Sequence, residues 1–250
     1  RELEQEFRGL ASAHSKGEEL FARLDVNDLE SARKVDATQL LKASAAGDGM
    51  AGSATVEHLT VDGHILRAQL SELFAYGHQR ALPFITGTTK EEGSSFAELL
   101  QIKTAQDLHS LLRQNPVAQQ AMRLVGDVPI SDENAGELAA ELVTRCFELS
   151  ADFLARSMTV MAPTRMYRFD RHSGSAKRKS LGVHHGCELR YVFGNLPSTR
   201  GYNSVDTEIS QKLRDALMQF ARGEKNLVVD DEVWPLYRPD EKNLLLIDKE

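Results

Sequence analysis

Cysteine is scarce. Cys146 and Cys187 are the only two in 250 residues, too few for a disulfide framework and without the spacing of a metal site. Whether they pair is open from sequence, and so is the redox compartment. No apolar run approaches the ~20 residues that a membrane span needs. No basic face offsets the net charge of −7, which argues against nucleic acid as a partner. Lys177-Arg178-Lys179 is a basic triplet in a Ser/Gly-rich stretch and reads as a solvated loop tip. Internal repeats and low-complexity tracts are absent. The first residues lack the charged-then-apolar layout of a signal peptide, and the chain does not begin with methionine. Also absent is any G-x-S-x-G, the sharp turn that presents a nucleophilic serine. The cellular location stays unknown.

Hydrophobic residues at 41% and charged residues at 27% are ordinary for a globular chain. The pattern predicts helices through 12–46, with Asp28 and Asp36 as N-caps. Gly47 to Ser53 reads as a loop, and Val61-Asp62-Gly63-His64 as a tight turn. Helix resumes through Leu70, Leu73 and Phe74 and stops near Gly77. Leu82 to Gly87 is a short apolar run between turn residues, the look of a strand buried in a parallel sheet. Residues 94–160 read as mainly helical, interrupted at Asn115-Pro116 and Gly126 to Pro129. Thr164 to Asp170 alternates and is a second strand, and His172 to Ser180 is loop. Glu188 to Phe193 and Glu208 to Phe220 read as helices, and Leu244 to Ile247 as a closing strand. Two good parallel-type strands do not make the sheet that such β–α alternation implies.

Two loops carry candidate chemistry. Gly87-Thr88-Thr89-Lys90-Glu91-Glu92-Gly93-Ser94 follows the first strand, and Gly182-Val183-His184-His185-Gly186-Cys187-Glu188-Leu189 follows the second. A carboxylate at Glu92 could accept an imidazole N–H, fixing the ring's tautomer and stabilising the imidazolium. An imidazole at His185 could act as general base and then general acid, with His184 competing for the role. By position alone, adjacent loop glutamates are ordinarily solvated and loop histidines ordinarily bond to backbone. A metal site at His172, His184 and His185 is weaker still, because adjacent histidines do not converge on one ion unaided. Ser94 and Ser95 lie beside the acid without an elbow, and Ser53 and Ser175 fall in glycine-containing loops.

Taken together, these motifs resemble the C-terminal half of the type-B carboxylesterase family, the α/β hydrolases that include cholinesterases and bacterial para-nitrobenzyl esterases. The first loop resembles the family's G-x-[NT]-x-[DE]-E-G-[ST], whose second acid belongs to the catalytic triad and maps onto Glu92. The second, with Phe193-Gly194, resembles G-x-x-H-x-x-E-[IL]-x-[FY]-[VL]-F-G, whose triad histidine maps onto His185. Glu188 matches an acid that supports the site through hydrogen bonds. Val61-Asp62-Gly63 and Trp234-Pro235-Leu236-Tyr237 resemble the family's V-D-G turn and closing W-P-x-Y. The resemblance runs from about Leu10 to the end of the chain.

It implies an α/β fold over residues 1–250: the C-terminal portion of an α/β-hydrolase domain, with the last strands of the central sheet and a helical insertion at 94–160. Phe96, Leu99, Leu100, Leu111, Leu112 and Phe153 are candidates to line a pocket or fill the core. The implied activity is hydrolysis of a small-molecule carboxylic ester through an acyl-serine, with neither cofactor nor metal. The serine and oxyanion hole would come from the N-terminal half of the same hydrolase, the expected partner. The alternative is a catalytically inactive truncated protein or cholinesterase-like interaction module. These 250 residues alone, lacking an elbow serine, are predicted to be poorly soluble and to give no turnover of a p-nitrophenyl ester; soluble material with measurable hydrolysis would contradict this.

Overall fold

A computed structural model describes residues 2–5, 11–45, 59–96, 101–114, 116–173 and 181–248. The chain forms two compact units, 1–79 and 80–250. In the first, helix α1 (Ala13–Leu24) is capped by Ser12, whose hydroxyl accepts the Ser15 N–H at 3.1 Å. Helix α2 (Leu29–Ala32) is capped by Asp28, and helix α3 (Ala37–Ala45) begins where Asp36 accepts the Thr38 N–H at 2.9 Å. Both aspartates take the capping roles read from sequence, satisfying N–H groups that have no helical partner. The Asp62 side chain accepts the N–H groups of His64, Ile65 and Leu66, closing the expected turn. Helix α4 (Leu70–Ala75) follows and ends two residues before Gly77. The Gly47–Ser53 loop lies outside the described residues.

The second unit is built on a parallel sheet. Its elements in order are β1 (Phe84–Thr89), α5 (Ala105–Gln114), α6 (Pro116–Val125), α7 (Ala135–Thr159), β2 (Thr164–Phe169), α8 (Leu189–Val192), α9 (Ser204–Ala221), β3 (Val228–Val229), β4 (Glu232–Val233) and β5 (Leu245–Ile247). The sheet order is β1–β2–β5, with Phe84 opposite Thr164 and Tyr167 opposite Leu245. β1 starts at Phe84, two residues later than expected. Pro83 has no N–H for the ladder, whereas Phe84 N–H donates to Pro163 O at 3.0 Å. Likewise α9 begins at Ser204, not Glu208, because Asn203 and Asp206 form a capping box. The hairpin β3–β4 was not expected at all.

Packing follows apolar periodicity. Leu138, Ala139 and Leu142 of α7 meet Leu108 of α5 and Ala121 of α6. Farther along, Ala151 and Ala155 pack on Met166 of β2 and on Tyr237. On the opposite side, Trp234 is buried and donates its indole N–H to Met166 O at 3.1 Å. Arg165 is buried as well, its guanidinium donating to Trp234 O and Lys225 O at 3.1 and 2.6 Å.

One polar node joins α8 and α9. Asp206 is completely buried and accepts Arg171 Nε at 2.8 Å, the Tyr191 hydroxyl at 2.9 Å and Asn203 N–H at 2.8 Å. Tyr191 O in turn accepts the Ser210 hydroxyl at 2.7 Å. Removing one side of a buried charge pair leaves the other uncompensated, a loss of about 3 kcal/mol. Asp206→Ala should therefore lower the unfolding free energy by about that amount in urea titrations; an unchanged midpoint would show the node to be dispensable.

Candidate active site

The site grows from the carboxyl ends of β1 and β2, where crevices form in open parallel sheets. The strand ladder continues past β1, since Lys90 N–H donates to Phe169 O at 3.0 Å. The chain then turns through Glu91, Glu92 and Gly93. Glu91 joins this loop to the one after β2: its N–H donates to Val183 O at 3.0 Å, and its carboxylate accepts Val183 N–H at 2.5 Å. Two bonds in opposite directions between the same two residues act like a single rung of sheet. The Ser94 hydroxyl adds to the join, lying 2.8 Å from Glu91 O and 2.5 Å from Leu181 O.

Two glycines make these approaches possible. A Cβ on Gly182 would stand 1.8 Å from Glu91 Oε2, and its φ of +58° is left-handed. A Cβ on Gly93 would stand 1.8 Å from Ala140 O of α7. At Gly93 the obstacle is backbone and no side chain fits; at Gly182 a side chain would have to displace the Glu91 carboxylate.

Held this way, Glu92 is only 4% exposed. Its Oε1 accepts Thr89 N–H at 2.6 Å, and its Oε2 accepts His185 Nδ1–H at 2.6 Å. An ionised carboxylate only accepts, so Nδ1 carries the proton and Nε2 is left as the ring's acceptor. The His185 side chain is 48% exposed. Its ring lies 4.8 Å from that of Phe147 on α7 and 5.3 Å from that of Phe96, centroid to centroid. A buried acid on one side and an open nitrogen on the other suit an imidazole to take up and release a proton.

His184 is placed differently: its Nδ1 lies 3.3 Å from Gly182 O. Glu188 has a buried Oε2 with no hydrogen-bond partner among the described residues. Burial holds its carboxyl above the usual range, the Glu92 charge adds to the rise and His185 opposes it. Tyr167, whose ring fills the space over Gly87, is pushed up in the same direction by burial, with Glu188, Glu92 and Cys187 contributing. Cys146 and Cys187 are not joined in a disulfide, and burial raises the Cys146 thiol above its ordinary value. Among the described residues, no group of three His, Cys, Asp or Glu side chains is arranged to hold a metal, and no helix is long and apolar enough to cross a membrane.

Of the expected pocket or core residues, Phe96 lies beside His185 and Leu111 and Leu112 pack on the α5–α6–α7 core. Phe153 is 37% exposed. Leu99 and Leu100, with Ser53, Ser175 and Lys177 to Lys179, fall outside the described residues. Sequence reasoning missed Phe147 and the role of Glu91. Phe147 sits in an α7 stretch whose pattern reads as ordinary helix, and only the meeting of α7 with the loops brings it to the ring.

The chain is similar to known proteins over most of its length. The carboxylesterase family matches residues 22–250. The para-nitrobenzyl esterase of Bacillus subtilis (strain 168) is 26% identical over 199 residues, covering 76% of this chain and 39% of that protein. The fumonisin B1 esterase of Sphingopyxis macrogoltabida is 25% identical over 229 residues, covering 85% of this chain and 40% of its own length. Among solved structures, a para-nitrobenzyl esterase matches with a TM-score of 0.69 at 25% identity, over 94% of this chain and 50% of the other. A Geobacillus stearothermophilus carboxylesterase matches with a TM-score of 0.72 at 23% identity, again over 94% and 50%. The chain therefore spans half or less of the length of these relatives.

Glu188 offers a test with a defined sign. Its folded-state carboxyl titrates above the ordinary 4.5, so its contribution to stability is complete below that value and is lost as pH rises through the raised one. Glu188→Gln should remove this dependence. Denaturant unfolding of variant and parent should differ more in the variant's favour at pH 8 than at pH 4; a pH-independent difference would contradict the burial argument.

Proposed function

This chain belongs to the carboxylesterase family and has the α/β-hydrolase fold over the part that it spans, and from that premise we propose that it supplies the acid and base of a serine esterase. Glu92 is the acid and His185 the base. The observation that carries the reading is the 2.6 Å bond between a buried carboxylate and Nδ1 of a half-exposed imidazole. The nucleophile is a serine that these 250 residues do not supply, since none of theirs sits in a G-x-S-x-G.

The chemistry follows from the proton positions. His185 Nε2 takes the serine proton as the hydroxyl oxygen attacks the ester carbonyl. Glu92 keeps Nδ1–H in place and offsets the positive charge on the ring. Backbone N–H donors beyond this chain hold the developing oxyanion. The imidazolium then gives its proton to the departing alcohol, leaving an acyl-serine. A water replaces the alcohol, His185 takes one of its protons as its oxygen attacks the acyl carbon, and the imidazolium then returns that proton to the serine oxygen as the acid is released. Glu188 acts on the site through its electrostatic coupling to Glu92 and His185 rather than through the hydrogen bonds expected from sequence, since its buried Oε2 has no hydrogen-bond partner among the described residues. The substrate is a small-molecule carboxylic ester, and no step calls for a cofactor or a metal.

The test uses the polypeptide that carries this chain together with a fluorophosphonate-reactive serine. Glu92→Gln and His185→Ala should each lower kcat for p-nitrophenyl acetate by about 10³-fold or more, because triad members act as a unit. His184→Ala should stay within about threefold of the parent, since its Nδ1 faces Gly182 O and not the Glu92 carboxylate. A damaging His184→Ala beside a harmless His185→Ala would overturn the assignment. If no polypeptide that carries this chain labels with a fluorophosphonate, a binding role is favoured instead.

A further inference from the structure

Ala140, Thr144 and Phe147 occupy positions i, i+4 and i+7 of α7, a single stripe along one helix face. Each touches a different part of the dyad's support. The Ala140 carbonyl abuts Gly93 Cα, where a Cβ would stand only 1.8 Å away. Thr144, 5% exposed, accepts Gly93 N–H at 3.0 Å and donates its own proton to Ala140 O at 3.0 Å. Phe147 lies against the His185 ring at 4.8 Å and 35°, and Phe96 closes the cluster 5.8 Å from Phe147.

The stripe cannot shift freely. On its N-terminal side α7 is packed against α5 and α6, and on its C-terminal side against β2 and Tyr237. We propose that this stripe is the template that sets the distance and angle between Glu92 and His185, with Thr144 and Phe147 as positioning residues. Thr144 acts through Gly93, one residue from the acid, so any drift of that backbone moves the carboxylate. Phe147 acts on the ring itself. The bond to Glu92 fixes Nδ1 but leaves the imidazole able to pivot about it, and a flat aromatic face removes that freedom. Thr144 also has a chemical reason to be threonine: its hydroxyl is donor and acceptor at once, taking the buried Gly93 N–H while giving its own proton to Ala140 O.

The inference rests on the reading of Glu92 and His185 as acid and base, so its test separates the two. In the same serine-bearing polypeptide, Thr144→Val and Phe147→Leu should lower kcat for p-nitrophenyl acetate by about 10-fold to 100-fold, as expected for sub-ångström misplacement, with KM within about twofold. Thr144→Ser and Phe147→Tyr should restore most of it. The low-field proton resonance of His185 Nδ1–H should move or broaden in the first pair and return in the second. Thermal unfolding checks each fold, and Thr144→Ala replaces Thr144→Val if the latter does not unfold cooperatively. Parent-like kcat and resonance in both damaging variants, with His185→Ala inactive, would overturn the template and leave the esterase reading standing. Activity surviving in His185→Ala would overturn that reading; the resonance alone would then decide the template, unchanged against it and displaced in its favour.

Discussion

A carboxylate with almost no access to water has to be satisfied by fixed partners, and Glu92 is such a group. Desolvating its charge is tolerable only because an N–H from the end of β1 and an imidazole N–H from the other loop both point at it. Everything around the site follows from that demand. The loop after β1 must turn tightly enough to bring the acid back to Thr89. The loop after β2 must approach closely enough to present His185. Glu91 meets the second condition by exchanging two hydrogen bonds with Val183, so one of two adjacent acids splices the backbone while the other meets the ring.

The sheet and helices serve this arrangement at longer range. β1 and β2 run parallel and in register, so their carboxyl ends open on the same edge and both loops start level. α7 spans the distance from the α5–α6 layer to β2 and presents its middle to the loops. Behind β2, the Trp234 indole and the Arg165 guanidinium tie the following segments to the strand through carbonyl groups, not through opposite charges. The polar node at Asp206 anchors α8, which directly follows the histidine loop.

Much of this was legible in the residues because local chemistry governs it. Capping by Asp28 and Asp36, the turn at Asp62 and the strands at β1 and β2 each depend on side chains close in sequence. The meeting of Glu92 with His185 was legible through the motifs, although position alone favoured solvated acids at 91 and 92. What escaped had no local signal. The β3–β4 turn places Asp230 and Asp231 at positive φ, where hairpin turns usually show Asn-Gly, so the pair reads as loop. The start of α9 is marked by Asn203 and Asp206, a less common version of the box usually written with Ser or Thr and Glu. Phe147 and Thr144 meet His185 and Gly93, roughly forty and fifty positions away, and periodicity within a helix carries no record of such meetings.

The bare Cα of Gly93 has a consequence for the way this sequence can vary. Every single-base change that alters a glycine codon gives either a residue with a Cβ or a stop, and a Cβ here would collide with backbone that has no slack. Drift at this position therefore has no small first step. A change could persist only if the helix carrying Ala140 withdrew at the same time, so two distant stretches of the gene are constrained to move together or not at all.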